Sequence, residues 1–154
     1  MIVNSLVVLS SVTMTIHGIG VDLLHVPRMA ALINRRGADR IASRILSPPE
    51  RSAFGRLRPE QGVVTRFLSV RYVLFSSRLF HFLNGHRWAV KEAAYKALYP
   101  LRSTWKELTY TTFDPQTGSK PALVSHPSGR PRLHVSVSHD GEYILAYVVA
   151  EDVA

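Results

Sequence analysis

The sequence predicts an α+β fold in which helices pack on an antiparallel sheet, and three observations lead to this prediction. One apolar strand pattern near the N-terminus is followed by a series of helical patterns that extends to Leu98. Beyond Leu98 come short strand-like segments separated by turns containing glycine and proline, which is typical of an antiparallel meander. No internal repeat or long linker divides the chain. We therefore expect one domain over residues 15–154, preceded by a short extension, residues 1–14.

The composition narrows the classes of function. Of the 154 residues, 46% are hydrophobic and 19% are charged, which allows a substantial core and argues against a disordered chain. The absence of cysteine excludes a disulfide framework, thiolate metal ligands and cysteine nucleophiles. A formal net charge of +8 and a pI near 10.3 indicate a surface that attracts polyanions such as nucleic acid, anionic lipid, a polyphosphate cofactor or an acidic protein.

Neither a targeting signal nor a membrane span is predicted. Residues 1–14 are apolar and hydroxyl-rich, but they lack the early positive charge of a secretory signal and the arginines of a mitochondrial presequence. We expect them to form a short extra strand or a loose extension. The most apolar later region, Val70–Val90, is interrupted by three arginines and two histidines, so it does not fit a transmembrane helix.

The first strand is predicted over Ile16–Leu24, where Gly18 and Gly20 would permit close approach of another backbone. Asp22 stands near its end, where a carboxylate either projects into a site or caps the helix that follows. Helices are then predicted from Pro27 to Gly37, over Ala38–Leu46 and over Glu50–Leu57, with a further helical piece at Thr65–Leu68. The arginines of these helices are either solvated or form a docking surface for an acidic partner.

The segment Trp88–Leu98, WAVKEAAYKAL, is predicted to be the helix around which the chain is organised. Trp88, Glu92 and Lys96 recur every four residues, so their side chains share one face. A carboxylate flanked by lysines suits a metal ion and a phosphorylated ligand, and the alternative is a solvated helix with an ordinary Glu–Lys pair. The preceding Ser69–His86 is rich in valine, tyrosine and phenylalanine, and is interpreted as a strand-like insertion.

Four strands are predicted in the second half of the chain, at Leu108–Phe113, Lys120–Val124, Leu133–Ser138 and Tyr143–Ala150. His139 follows the third of them, in a predicted tight turn with Asp140 and Gly141. A histidine in this place is either an ordinary turn residue or a polar ligand contact at a strand end. The sequence contains no HExxH pair, phosphate-binding P-loop or GxSxG nucleophile elbow.

Three stretches together resemble the holo-acyl-carrier-protein synthase family, the short class of 4′-phosphopantetheinyl transferases. They are GIGVDLLHVPRM from Gly18, RWAVKEAAYKAL from Arg87 and LHVSVSHDGEYILAYVV from Leu133, and RILSPPE and GSKP also match in order. The resemblance covers the chain from about His17 to Glu151. It implies the 4′-phosphopantetheinyl transferase-like fold, with one copy per chain. It also implies Mg²⁺-dependent transfer of the 4′-phosphopantetheine group of coenzyme A to a serine of an apo acyl carrier protein, which leaves adenosine 3′,5′-bisphosphate.

The resemblance further implies roles for individual residues. Asp22 and Glu92 are the expected Mg²⁺ ligands, and this ion commonly binds one or two carboxylates plus substrate phosphates. Lys96 is expected to stabilise or protonate the leaving phosphate, and Glu92, or a metal-bound water near it, is the candidate general base. Contacts to coenzyme A are expected from Arg87, Lys91, Lys96, Lys120, Pro121 and His139. Arg28 and Arg44 match basic positions that face the carrier protein, whose acidity fits the net charge of +8.

Assembly and location are also expectations from the resemblance. We expect a homotrimer with sites between protomers and no nucleic-acid or membrane partner. The expected location is the cytoplasm or, in a eukaryote, the mitochondrial matrix. Ser69–His86 has no counterpart in the family pattern, so it is either a true insertion or untranslated sequence retained in the reading frame. The rival interpretations are a basic nucleic-acid-binding module, a Mg²⁺-dependent phosphohydrolase and an inactive subunit of such a trimer.

Overall fold

The structure is a computed structural model that describes residues 14–56, 76–112, 114, 116–126 and 131–152, with the backbone alone described for residues 56 and 76–85. Residues 1–13 of the predicted extension, the predicted helical piece Thr65–Leu68 and the first part of Ser69–His86 lie outside the described residues. The helices and strands in chain order are β1 (Thr15–His25), α1 (Val26–Arg36), α2 (Ala38–Ile45), α3 (Pro48–Arg56), α4 (Ser76–Leu98), β2 (Leu108–Thr111), β3 (Ala122–Ser125), β4 (Arg132–Asp140) and β5 (Tyr143–Asp152).

The strands form two antiparallel sheets, which confirms the predicted α+β class. The larger sheet has the order β1–β5–β4, and β2 pairs with β3 in a separate two-stranded sheet. In the larger sheet Asp22 lies opposite Ala146, and His139 lies opposite Ile144. Helix α4 packs across one face of this sheet and supplies much of the core. The fully buried side chains here are Ala89, Val90, Ala93, Ala94, Ala97 and Leu98 from α4, with Ile144, Ala146, Val148 and Ala150 from β5.

The two glycines of β1 determine how closely α4 approaches the sheet. A Cβ atom at Gly20 would overlap the carbonyl oxygen of Ala93 and lie 2.7 Å from the backbone nitrogen of Ala97. A Cβ atom at Gly18 would likewise overlap the carbonyl oxygen of Ala97. The prediction that these glycines permit close backbone approach is therefore confirmed. This close approach allows side chains of β1 and α4 that flank the glycines to meet at short range.

Two of the predicted elements are wrong. Residues 76–86 are helical rather than strand-like, because they form the first turns of α4. Once a helix has formed, adding a residue costs far less than nucleation, so a continuous helix overrides the strand preference of aromatic residues. Strand β4 runs through Asp140, so His139 is a strand residue and the tight turn consists of Gly141 and Glu142.

The face of the larger sheet that points away from α4 is apolar and exposed. Six large side chains of β1 and β5 keep between 40% and 62% of their surface, and they alternate with the buried residues of the same strands. They are Ile19, Val21 and Leu23 on β1, and Tyr143, Leu145 and Tyr147 on β5. The register places Leu23 opposite Leu145 and Val21 opposite Tyr147, so the exposed side chains form one continuous patch, called here the outer sheet face. Among the described helices, none is both long enough and apolar enough to span a membrane.

Candidate active site

Three of the predicted site residues meet where the end of β1 crosses α4. Lys96 donates one hydrogen bond to the carboxylate of Asp22, with an Nζ–Oδ1 distance of 2.9 Å, and another to the carbonyl oxygen of Val21 at 2.7 Å. Asp22 is on the face of β1 that carries Gly18 and Gly20, so the close approach of α4 brings the two side chains together. The alternative role of Asp22 as a helix cap is wrong, because His25 occupies the N-cap position of α1.

Glu92 lies one turn before Lys96 and shares the electrostatic environment of Asp22. Partial burial raises the pKa of the Glu92 carboxyl, the neighbouring Asp22 carboxylate raises it further, and Lys96 opposes both effects. A like charge raises the pKa of a carboxyl in this way only when it is close. The structure therefore brings together two carboxylates that are 70 positions apart in the sequence, with an ammonium group beside them.

These carboxylates line a cavity of about 610 Å³ between β1, α1 and α4. Trp88, one turn before Glu92, forms part of its wall, and Arg28 and Arg35 of α1 add two cations to its lining. The volume is within the range usual for sites that bind small molecules. The described lining includes none of the predicted coenzyme A contacts, which are Arg87, Lys91, Lys96, Lys120, Pro121 and His139.

The donor set at this cavity fits a magnesium ion. Within the part of the chain that the structure describes, no third carboxylate or histidine joins Asp22 and Glu92 to complete an all-protein cage. Mg²⁺ is usually bound by one or two carboxylates and keeps its other positions for water and substrate phosphates. Two hard oxygen donors next to an open cavity suit such an ion better than zinc, which prefers nitrogen and sulfur ligands.

Lys91 was predicted to contact cofactor phosphates, and its geometry in the structure contradicts this. Its side chain has no exposed surface, and its ammonium group donates to the carboxylate of Glu50 and to the carbonyl oxygens of Ile45 and Trp105. These three acceptors use all three N–H groups of a lysine. Burial lowers the pKa of Lys91, and the Glu50 charge raises it in part. Lys91 is thus a buried partner of Glu50 and does not face the cavity.

Glu50 is the residue of this region that the sequence analysis missed, since it was treated only as the first residue of a helix. Its carboxylate has 3% exposure and accepts hydrogen bonds from the backbone nitrogens of Ser47 and Tyr110 as well as from Lys91. The Nε atom of Arg87 lies 3.6 Å from Glu50 Oε1, at ion-pair distance. The only signal in the sequence was the position of this glutamate in RILSPPE.

His139 on β4 lies close to His86, which is near the middle of α4. The ring centroids of His86 and His139 are 6.0 Å apart, and the ring planes are inclined by 24°. Burial, the neighbouring His139 and Arg87 lower the pKa of His86 to about 4. His86 is therefore neutral at physiological pH. The sequence did not predict His86 as a site residue.

This depressed pKa predicts a contribution of His86 to acid instability. The unfolded chain takes up a proton near pH 6.5, whereas the folded protein resists it down to about pH 4, so stability falls as the pH is lowered through this window. The loss attributable to His86 is at most about 3 kcal/mol. Urea unfolding of His86→Gln between pH 7 and 4 should show a shallower decline than the parent protein. The exposed His126→Gln is the control, and equal slopes for His86→Gln and the parent would contradict the prediction.

Three further predicted residues, Lys120, Pro121 and Arg44, are not part of the described lining of the cavity. Lys120 and Pro121 precede β3 in the connection of the two-stranded sheet, so their predicted contact with coenzyme A stays a prediction. Arg44 is exposed on α2 and lines a second groove of about 300 Å³ together with Arg36 and Arg40. The walls of this groove include Trp88, whose ring packs edge-on against that of Trp105 with the ring centroids 4.6 Å apart. Trp88 lines both spaces, so the groove and the cavity are neighbours that share a wall.

The chain is similar to one group of known proteins, both in sequence and in fold. Residues 18–148 match the sequence model of the 4′-phosphopantetheinyl transferase superfamily. A holo-[acyl-carrier-protein] synthase from Edwardsiella ictaluri is 32% identical over 148 residues, which cover 90% of this chain and 99% of that protein. A mitochondrial holo-[acyl-carrier-protein] synthase from Candida glabrata is 27% identical and is covered over 97% of its length by 90% of this chain. The solved ACPS–CoA complex of Chronobacterium ammoniagenes has a TM-score of 0.57 at 25% identity, covering 92% of this chain and 99% of that one.

Proposed function

The chain belongs to the 4′-phosphopantetheinyl transferase superfamily and within it to the holo-[acyl-carrier-protein] synthase family, and we propose that it transfers 4′-phosphopantetheine from coenzyme A to a serine of an apo acyl carrier protein. The observation that carries this proposal is the meeting of Asp22, Glu92 and Lys96 beside one cavity. Two carboxylates and an ammonium group are the groups that phosphoryl transfer requires for a metal ion and a departing phosphate. The second product is adenosine 3′,5′-bisphosphate.

Each residue has a separate role in the proposed reaction. Asp22 and Glu92 would hold Mg²⁺, which would supply positive charge at the pyrophosphate of coenzyme A. The serine oxygen forms a bond to the phosphorus that carries the pantetheine, and the bond from that phosphorus to the bridging oxygen breaks. Glu92, or a metal-bound water near it, takes the serine proton. Lys96 faces the departing phosphate and stabilises its charge.

The proposed docking surface for the carrier protein consists of the arginines along α1 and α2. Arg28 lines the cavity, and Arg44 lines the neighbouring groove with Arg36 and Arg40. Opposite charge on an acidic partner would speed the encounter and orient it, and the net charge of +8 adds to this attraction. The shared wall of groove and cavity supports a docking surface that lies next to the carboxylates.

We also propose that the protein is a homotrimer in which neighbouring protomers complete each site. The outer sheet face supports self-association, since six large apolar side chains of one monomer are left in contact with water. His139 is outside the described lining of the cavity, which is consistent with a site completed by a neighbouring copy. For location, the mitochondrial relative supports the mitochondrial matrix if the source is eukaryotic, and the cytoplasm is the alternative.

One experiment tests the proposed reaction directly. The purified full chain is incubated with coenzyme A, Mg²⁺ and an apo acyl carrier protein, and the carrier protein is then weighed by mass spectrometry. We expect a phosphopantetheine adduct on the carrier protein and an equal amount of adenosine 3′,5′-bisphosphate. Release of the bisphosphate without a carrier protein would favour a phosphohydrolase, and a salt-sensitive complex with random DNA in the absence of any reaction would favour a nucleic-acid-binding module.

A further inference from the structure

We propose that Lys96 acts as a substitute cation in the ligand-free protein and opposes the binding of a free divalent ion at Asp22 and Glu92, so that the site favours a metal ion that arrives with an anionic ligand. The inference rests on the proposed function, which assigns the metal site to these carboxylates. Lys96 donates to Asp22 Oδ1 at 2.9 Å and to the carbonyl oxygen of Val21 at 2.7 Å. An ammonium group therefore holds one oxygen of an expected metal ligand.

The charge of Lys96 acts on both carboxylates. Burial and the Asp22 charge raise the pKa of the Glu92 carboxyl, whereas the Lys96 charge lowers it. In the free protein the ammonium group thus supplies part of the positive charge that two neighbouring carboxylates need. A divalent ion entering the same place would meet this ammonium at short range, where like charges repel. We therefore expect Lys96 to lower the affinity of the site for the free ion.

The contact between Lys96 and Asp22 is exchangeable. The Lys96 side chain is 49% exposed, and its flexible stem allows the ammonium group to move toward solvent. Asp22 and Glu92 belong to the described lining of the cavity, whereas Lys96 does not. The ammonium group therefore lies beside the cavity, and an ion can reach the carboxylates from the cavity side.

A ligand that carries phosphates changes the balance of charge at this site. Two carboxylates and one ammonium leave a single net negative charge for a doubly charged ion. A phosphate ligand brings further negative charge with the metal ion and offers the ammonium group a second anion. Binding of the metal ion and of the phosphate ligand should therefore be coupled, each raising the affinity for the other. Coenzyme A is the ligand of this class in the proposed function.

Calorimetric titration of the full chain with Mg²⁺ alone, at neutral pH, tests the competition. We expect Lys96→Met to bind the ion about tenfold more tightly than the parent, because a neighbouring positive charge is removed. Lys96→Arg keeps that charge and should bind the ion as the parent does. Lys106→Met is the matched control, since it removes the same charge from an exposed lysine outside the described lining of the cavity, and it should also match the parent.

The gain in affinity must come from the carboxylates, so adding Asp22→Asn to Lys96→Met should abolish it. Equal affinities of the parent and Lys96→Met, or no detectable binding of Mg²⁺ to either, would overturn the inference. So would a gain that survives Asp22→Asn, because the ion would then lie elsewhere. Lys96→Gln also removes the charge and takes the place of the methionine variant if that variant fails to fold.

The same titrations at saturating coenzyme A measure the coupling. Coenzyme A should raise the affinity of the parent for Mg²⁺ by a larger factor than that of Lys96→Met, and equal factors would overturn the inference. Failure of the proposed function is distinguishable, because the parent would then give no adduct in the transfer assay. The titrations with Mg²⁺ alone require neither coenzyme A nor a carrier protein and would still give their result.

Discussion

Glu92→Gln is expected to lower the rate of phosphopantetheine transfer by about 10²–10⁴-fold, the range typical for the loss of a general base. The carboxamide has nearly the same shape, but it cannot accept the serine proton. It also carries no charge, so coenzyme A binding should weaken, although by a much smaller factor than the rate. The expected separation between rate and binding follows from assigning Glu92 a role in the chemical step as well as in holding Mg²⁺.

Single-turnover transfer and equilibrium binding of coenzyme A, measured on the same preparation, test this expectation. Glu142→Gln is the matched control, because this glutamate is 65% exposed in the turn between β4 and β5. Its rate and binding should equal those of the parent protein. Equal losses of rate and binding in Glu92→Gln would show that Glu92 acts through binding alone.

Lys91→Met is expected to lower the free energy of unfolding by about 3–5 kcal/mol, the cost of leaving one member of a buried ion pair without its partner. The side chain of Glu50 is 3% exposed, and its charge would then be opposed by the more distant Arg87. Two backbone carbonyls, those of Ile45 and Trp105, would also lose a donor. The effect should be among the largest of any single substitution in the chain.

Urea unfolding of the parent, Lys91→Met and the exposed Lys106→Met measures this cost, and the Lys106 variant should stay within about 0.5 kcal/mol of the parent. Adding Glu50→Gln to Lys91→Met should recover part of the stability, since it removes the uncompensated charge. A double variant that is less stable than Lys91→Met would contradict the view that the unpaired charge causes the loss.

The interior role of Lys91 was foreseeable in part from helical geometry. Neighbouring residues on a helix point about 100° apart, so Lys91 and Glu92 cannot face the same site. Lys91 shares its face with Ala94 and Leu98, which are both fully buried. Lys91 was expected to contact phosphate because it stands beside Glu92 in the chain and matches a position of the family pattern, whereas the four-residue spacing correctly grouped Glu92 with Lys96.

The pairing of Asp22 with Glu92 could not be derived from spacing. Seventy residues separate them, and only the family resemblance indicated that they meet. The physical link is provided by Gly18 and Gly20, which were interpreted correctly as points of close approach but without knowledge of which backbone approaches. Local preferences failed for residues 76–86, where the helix continues through aromatic residues that favour strands.

If copies of this chain cover the outer sheet face of one another, the thermal stability of the protein depends on its concentration. Any assembly that covers Leu23, Leu145 and Tyr147 stabilises the folded chain by mass action, so its midpoint of thermal unfolding rises as the protein is concentrated. Dilution works in the opposite direction and exposes the same side chains to water. Enzyme assays at nanomolar protein and biophysical measurements at micromolar protein would then sample different populations. Rates obtained at several enzyme concentrations are therefore needed before any variant of this chain is compared with its parent.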